Sequence, residues 1–160
     1  WEWTHARHGA FVQALDTLGM RYDPAIFTNA RSACSEEVGD WMEDHMRNGV
    51  TAWMCACDHL ARGIGTELLE RGYEIPGDVS LTGFDGTMSL PNDERITSVE
   101  TPFEALGATA TESLLRRLQY PRAARPHLLI PGRVIDGDTV GPAGEERRGG
   151  NDERSDLALK

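Results

Sequence analysis

The sequence has no apolar run approaching the roughly 18–20 residues that a membrane-crossing helix requires. Its amino end also has no basic-then-apolar leader. No membrane-crossing helix is predicted in this stretch, and no membrane partner is expected. Cysteine is scarce: Cys34, Cys55 and Cys57 are an odd number with no disulfide-like framework, which fits a reducing, cytoplasmic setting. Basic side chains are also few, 16 Lys+Arg against 26 Asp+Glu, for a formal net charge of -10. Phosphate backbones repel such a balance, so the sequence reads as a poor nucleic-acid binder on its own. The signatures of catalysis are missing too. No Gly-x-Ser-x-Gly elbow, Gly-x-x-x-x-Gly-Lys loop or His-Glu-x-x-His occurs, and Gly63-Ile64-Gly65 lies inside a helical pattern rather than after a strand. No enzyme, cofactor or metal is expected. Cys55-x-Cys57 has no further ligand nearby and reads as core thiols. His5 and His8, three apart on a helix, have no third ligand and read as surface residues.

What is present is ordinary for a globular domain: 160 residues, 39% hydrophobic and 26% charged. The chain opens on Trp1 with a helical pattern at once, which predicts a piece of a longer protein. Phe11, Ala14, Leu15 and Leu18 recur at helical spacing and predict a helix from Thr4 to Leu18, stopped by Gly19. Ala25-Ile26-Phe27 reads as a short strand after the Asp23-Pro24 turn. Ser35 offers an N-cap to a second helix, whose inner stripe is Val38, Trp41, Met42, His45 and Met46. Val50 to Ala56 is almost continuously apolar and predicts a strand buried on both faces, as in parallel sheets. A helix from Asp58 with Leu60, Ala61, Ile64, Leu68 and Leu69 follows, then a strand from Val79 to Phe84. Alternating helices and strands with short connections predict an α/β fold, a doubly wound and mainly parallel sheet.

The second half predicts a short extended piece at Ile96 to Val99. A helix from Phe103 to Leu118 follows, with Phe103, Leu106, Ala110, Leu114 and Leu118 on one face. Two extended pieces come next, His127 to Ile130 and Arg133 to Ile135. The stretch from Gly144 to Lys160, rich in Gly and charge, reads as a disordered tail.

Ligands of open α/β sheets bind beyond the carboxyl ends of the strands. Asp58 and Asp85 each follow such a strand directly, and a carboxylate there can accept two hydroxyl hydrogen bonds from a polyol. The bland readings stay open beside that one: Asp58 as a plain helix cap, and Asp85 as a turn residue before Gly86. Arg7, early in the first helix, reads by itself as a surface residue.

The stretch TAWMCACDHLARGIGTELLERGYEIPGDVSLTGFDG resembles the sensor-domain core of the lactose-repressor/galactose-repressor (LacI/GalR) regulators. WEWTHARHGAFVQAL, ITSVETPFEALGATATESLLRRL and HLLIPGRVIDGDTVGPA resemble that family's effector-side helix, crossover segment with its helix, and closing strand pair. The likeness runs from Trp1 to Ala143. It implies the type I periplasmic-binding-protein fold, in which a sugar effector sits in a cleft between two subdomains of a homodimeric regulator. DNA would be bound only through a helix-turn-helix domain upstream. Residues 1–98 and 126–143 would then belong to the C-terminal subdomain, and 99–125 to part of the N-terminal one.

The resemblance also assigns residues. Asp58 matches the family's effector-binding aspartate, and Arg7 its effector-gripping arginine. Cys34 stands where many members place a stacking aromatic, and Thr101 where many have Gln. Cys57 replaces Asn, Ala10 replaces Gly, Gly86 replaces a second Asp, and Asp138 stands near the usual Arg. The expected function is effector sensing, with Asp58 and Arg7 facing the guest together. A sugar receptor of an uptake transporter is the alternative, and a glycosidase a distant third.

Overall fold

The computed structural model describes residues 2–20 and 36–142. The expected strand at 25–27, the Ser35 cap, Cys34 and the 144–160 tail lie outside the described residues. In chain order the elements are α1 (Glu2–Thr17), α2 (Glu36–Arg47), β1 (Ala52–Met54), α3 (Asp58–Glu70), β2 (Ser80–Thr82), β3 (Ser98–Glu100), α4 (Phe103–Gln119) and β4 (Arg133–Ile135).

β1 and β2 pair in parallel, with Ala52 opposite Ser80 and Met54 opposite Thr82. β3 and β4 pair antiparallel, with Ser98 opposite Ile135. Backbone bonds knit the two pairs together: a parallel bridge joins Thr82 to Thr97, and the Gly83 N–H donates to the Thr97 carbonyl at 2.9 Å. Thr139, wholly buried, reinforces the seam. Its hydroxyl donates to the Leu81 carbonyl at 2.6 Å and accepts from the Thr97 N–H at 3.0 Å.

The amphipathic stripes of α2 and α3 were the clearest helical signals, and both cover the sheet. Met42, Ala61, Leu68, Ile75, Val79, Leu81, Leu90 and Ile96 form the core, with Val38, Trp41, Met46, Leu60, Ile64 and Leu69 packed around it. Burying a side chain such as Leu68 contributes about 1.5–3 kcal/mol. Gly49 and Gly72 end α2 and α3 in left-handed geometry, φ +98 and +86, which glycine adopts without steric cost. Arg71 then ties the two helices together. Its guanidinium meets Glu67 at 2.7 Å, Asp40 at 2.8 Å and Glu43 at 3.2 Å, and hydrogen bonds to Glu67 and Asp40 hold its pKa above the usual arginine range.

Three expectations are corrected. β1 is not buried on both faces: Ala52 and Met54 are exposed and Trp53 is half-buried. Its one hydrogen-bonded neighbour among the described residues is β2, so only the side facing α2 and α3 is covered, where Trp53 meets Trp41 at 5.3 Å between ring centroids. Asp58 does not cap α3. Cys57 holds the cap position in extended geometry, φ -158, and Asp58 is the first helical residue. His127 to Ile130 forms no strand, whereas Arg133 to Ile135 does. The apolar face of α4 exists as predicted, yet none of its side chains is buried, and Phe103, Leu106, Leu114 and Leu118 are exposed.

A candidate effector site at the strand ends

The segment Gly83-Phe84-Asp85-Gly86-Thr87 leaves the carboxyl end of β2 and turns over the start of α3. Asp58 anchors it from beneath. Its backbone N–H donates to the Phe84 carbonyl at 2.7 Å. Its carboxylate accepts from the Thr87 N–H at 2.6 Å through Oδ2 and from the Ser98 hydroxyl at 2.6 Å through Oδ1. The same Ser98 oxygen accepts from the Gly86 N–H at 3.2 Å. Asp58 is 1% exposed, so these charge-assisted bonds are what makes a buried carboxylate tolerable. Gly83 leaves the room it needs, since a Cβ there would lie 2.2 Å from Asp58 Oδ1.

Held this way, Asp85 adopts φ +113, outside the regions open to a side-chain-bearing residue, and Gly86 follows at φ +74. Such strain persists only where the surroundings over-determine it. Here the Asp85 N–H donates to the Val99 carbonyl at 2.9 Å and the Asp85 carbonyl accepts from the Thr101 N–H at 3.1 Å, so β3 grips the residue on both sides of its Cα. The Asp85 carboxylate, freed of any backbone role, faces Arg7 Nη2 at 3.5 Å, with the Thr101 hydroxyl also 3.5 Å away.

Arg7 reaches this position from α1. Its guanidinium lies 3.6 Å from the centre of the Phe84 ring and 4.7 Å from that of Trp3, and donates to the Ala56 carbonyl at the end of β1. Stacking on two aromatic faces fixes the plane of the fork, and both partners of the Arg7–Asp85 pair keep about a quarter of their side chains in solvent. Next to the pair opens a hollow of about 360 Å³, lined by Arg7, Phe11, Met54, Phe84, Ser98 and Val134 among others. Its walls are chiefly apolar, with charge at one end, as small-molecule sites are.

The structure therefore brings Arg7, Asp85 and Thr101 together and sets Asp58 behind them. The Asp58 oxygens accept from Ser98 and Thr87, and the side chain is 1% exposed. Cys34 lies outside the described residues. Sequence reasoning missed Phe84, Trp3, Thr87 and Ser98. The string Gly83-Phe84-Asp85-Gly86 held the signal for Phe84; nothing marked Ser98, a lone hydroxyl in a short extended piece. Cys55, in the wall of the hollow, is buried, and burial, with the charges of Cys57 and Asp58 adding, pushes its thiol up to about 12. No cluster of three or more potential metal ligands occurs among the described residues, and none of the described helices is long and apolar enough to cross a membrane.

Residues 1–140 match the model of the periplasmic binding protein-like domain. The chain belongs to that family. Among its relatives, the transcriptional regulator IpsA of Corynebacterium glutamicum is 35% identical over 115 residues, covering 71% of this chain and 31% of the relative. The regulator MalR of Streptomyces coelicolor is 33% identical over 102 residues, 61% of this chain and 29% of its own length. A LacI family regulator from Enterococcus faecium, solved with bound ribose, superposes with a TM-score of 0.72 at 26% identity, covering 88% of this chain and 53% of that one. These relatives are transcription regulators and not enzymes, and this chain spans about a third of the length of the curated ones.

Proposed function

We propose that this periplasmic binding protein-like domain senses a small polyol, a sugar in the first instance, for a LacI-type transcription regulator. The observation that carries the reading is the Arg7–Asp85 pair, steadied by Phe84 and Thr101, with Arg7 and Phe84 lining the adjoining hollow. A guanidinium and a carboxylate side by side offer donors and acceptors to vicinal hydroxyls, and the Phe84 ring supplies an apolar edge for ring carbons. The ribose held by the Enterococcus faecium relative supports a sugar as the guest. Asp58 takes the supporting role, fixing the turn that presents Asp85. Thr101, whose hydroxyl lies 3.5 Å from the Asp85 carboxylate, is the third polar contact for the guest.

In the intact protein, β3 at about Val99 crosses into a second subdomain that contains α4, and the chain returns near Pro126. Two copies form a homodimer in the cytoplasm, and DNA is bound by a helix-turn-helix domain. Occupancy of the cleft favours one relative pose of the subdomains, a population shift set by differential affinity. The protein performs no catalysis and needs no cofactor or metal.

Titration calorimetry of the intact protein against D-ribose, D-glucose, D-galactose and maltose tests the reading. We expect one of these to bind, and Arg7→Ala and Asp85→Asn each to weaken it at least tenfold. Binding of none, or binding indifferent to both substitutions, would overturn the assignment.

A further inference from the structure

The chain's acidity is unevenly spread. Between Glu112 and Asp136 there are no acids at all, while Arg116, Arg117, Arg122, Arg125 and Arg133 fall in the same 23 residues, 113–135. Arg133 is spoken for by Glu100. The other four gather where α4 ends and the chain turns back. Arg117 donates to the Ala123 carbonyl at 3.0 Å and so folds the Tyr120–Ala123 turn against the last turn of the helix. That fold sets Arg116 and Arg122 on the rim of a wide-open hollow of about 800 Å³, with Gln119, Tyr120 and Pro121 completing it. Arg116, Arg122 and Arg125 are exposed and make no ion pair among the described residues; Glu112, one turn before Arg116, does not engage it. Tyr120 is exposed beside them and offers a hydroxyl.

We propose that this basic end of α4 is a second contact surface for duplex DNA, gripping phosphates without reading bases. The net charge of -10 argues against DNA binding only if charge acts as a whole. Beyond a Debye length of about 10 Å at 0.1 M salt, exposed charges are screened, and the local sign decides. Two unpaired guanidiniums and a phenol around one shallow depression, with Arg125 three residues further on, match the groups that position proteins on the phosphate backbone. The surface is distinct from the effector site. α4 begins two residues after Thr101, and its 17 residues at about 1.5 Å each place the patch about 25 Å away. The choice of DNA over another polyanion rests on the regulator reading, because such a protein works at DNA.

The test is fluorescence anisotropy of a labelled 30-base-pair duplex of arbitrary sequence, titrated with the full 160-residue chain from 20 to 150 mM salt. We expect binding that weakens with salt. The double variant Arg116→Ala/Arg122→Ala should flatten the log–log salt slope by about 2, at roughly 0.9 per phosphate contact. Arg116→Lys/Arg122→Lys should keep the slope, because point charge suffices. Arg47→Ala/Arg95→Ala, an equal loss of charge elsewhere, should also leave it unchanged. No binding at 20 mM salt, equal losses in the patch and control variants, or capture of an acidic peptide but not of DNA would each overturn the proposal. None of these outcomes bears on the sugar titration, so the two readings fail separately.

Discussion

Asp58→Asn is the substitution that most sharply separates a supporting carboxylate from a ligand-binding one. The side chain is 1% exposed and accepts two short hydrogen bonds, from the Ser98 hydroxyl and the Thr87 N–H. Asparagine keeps the shape and one acceptor. If its oxygen faces Ser98, its amide points at the Thr87 N–H, donor against donor; the reverse orientation turns the amide on Ser98. The first loses the Thr87 bond and leaves a buried N–H unpaired, at about 1–3 kcal/mol. Loss of the charge-assisted strength of the second bond adds about 1 kcal/mol. The expected destabilisation is therefore about 2–4 kcal/mol, or a fall in Tm of roughly 10 °C for a domain of this size. Thermal unfolding followed by circular dichroism, without any ligand, measures it. A midpoint within about 1 °C of the parent, coupled with loss of sugar binding, would refute the reasoning and return Asp58 to the effector.

Four further outcomes are expected. Leu68→Ala empties a fully buried core position and should cost about 2–5 kcal/mol in urea titration with unchanged m-value. Gly86→Ala forces a Cβ to within 2.9 Å of the Glu100 backbone at φ +74, and should destabilise by more than about 1 kcal/mol while weakening whatever sugar the parent binds. The Cys55 thiol, held protonated up to about pH 12 while an unfolded thiol ionises near 8.5, should escape iodoacetamide at pH 8 and label only on denaturation, as peptide mapping will show. Because the folded state disfavours the thiolate, Cys55 stabilises the fold below about pH 8.5 and this contribution falls as pH rises from there towards 12. Arg71→Met removes the guanidinium that Glu67, Asp40 and Glu43 share, and should lower the Tm less in 1 M salt than in 20 mM.

The helices α2 and α3 and the parallel pairing were legible because apolar residues at three- and four-residue spacing leave no other way to bury themselves. The resemblance identified the kind of domain. Burial of β1 was misread because an apolar run states what a strand could bury, while its cover depends on neighbours elsewhere in the chain. The choice between Asp58 and Asp85 was illegible for a related reason. Both follow strands, and only the hydroxyl of Ser98, 40 residues away, and the amide of Thr87 decide which one is occupied within. Asp85's left-handed backbone could not be read either, since no local rule places an aspartate at φ +113.

The bonds that hold the Asp85 backbone, to Val99 of β3 and to Thr101 just after it, run through main-chain amides and carbonyls. Peptide groups are common to every residue except for proline's missing N–H, so the placement of Asp85 is indifferent to which side chains line the hollow. Substitutions lining the hollow can therefore change its chemistry without moving the turn that presents Asp85.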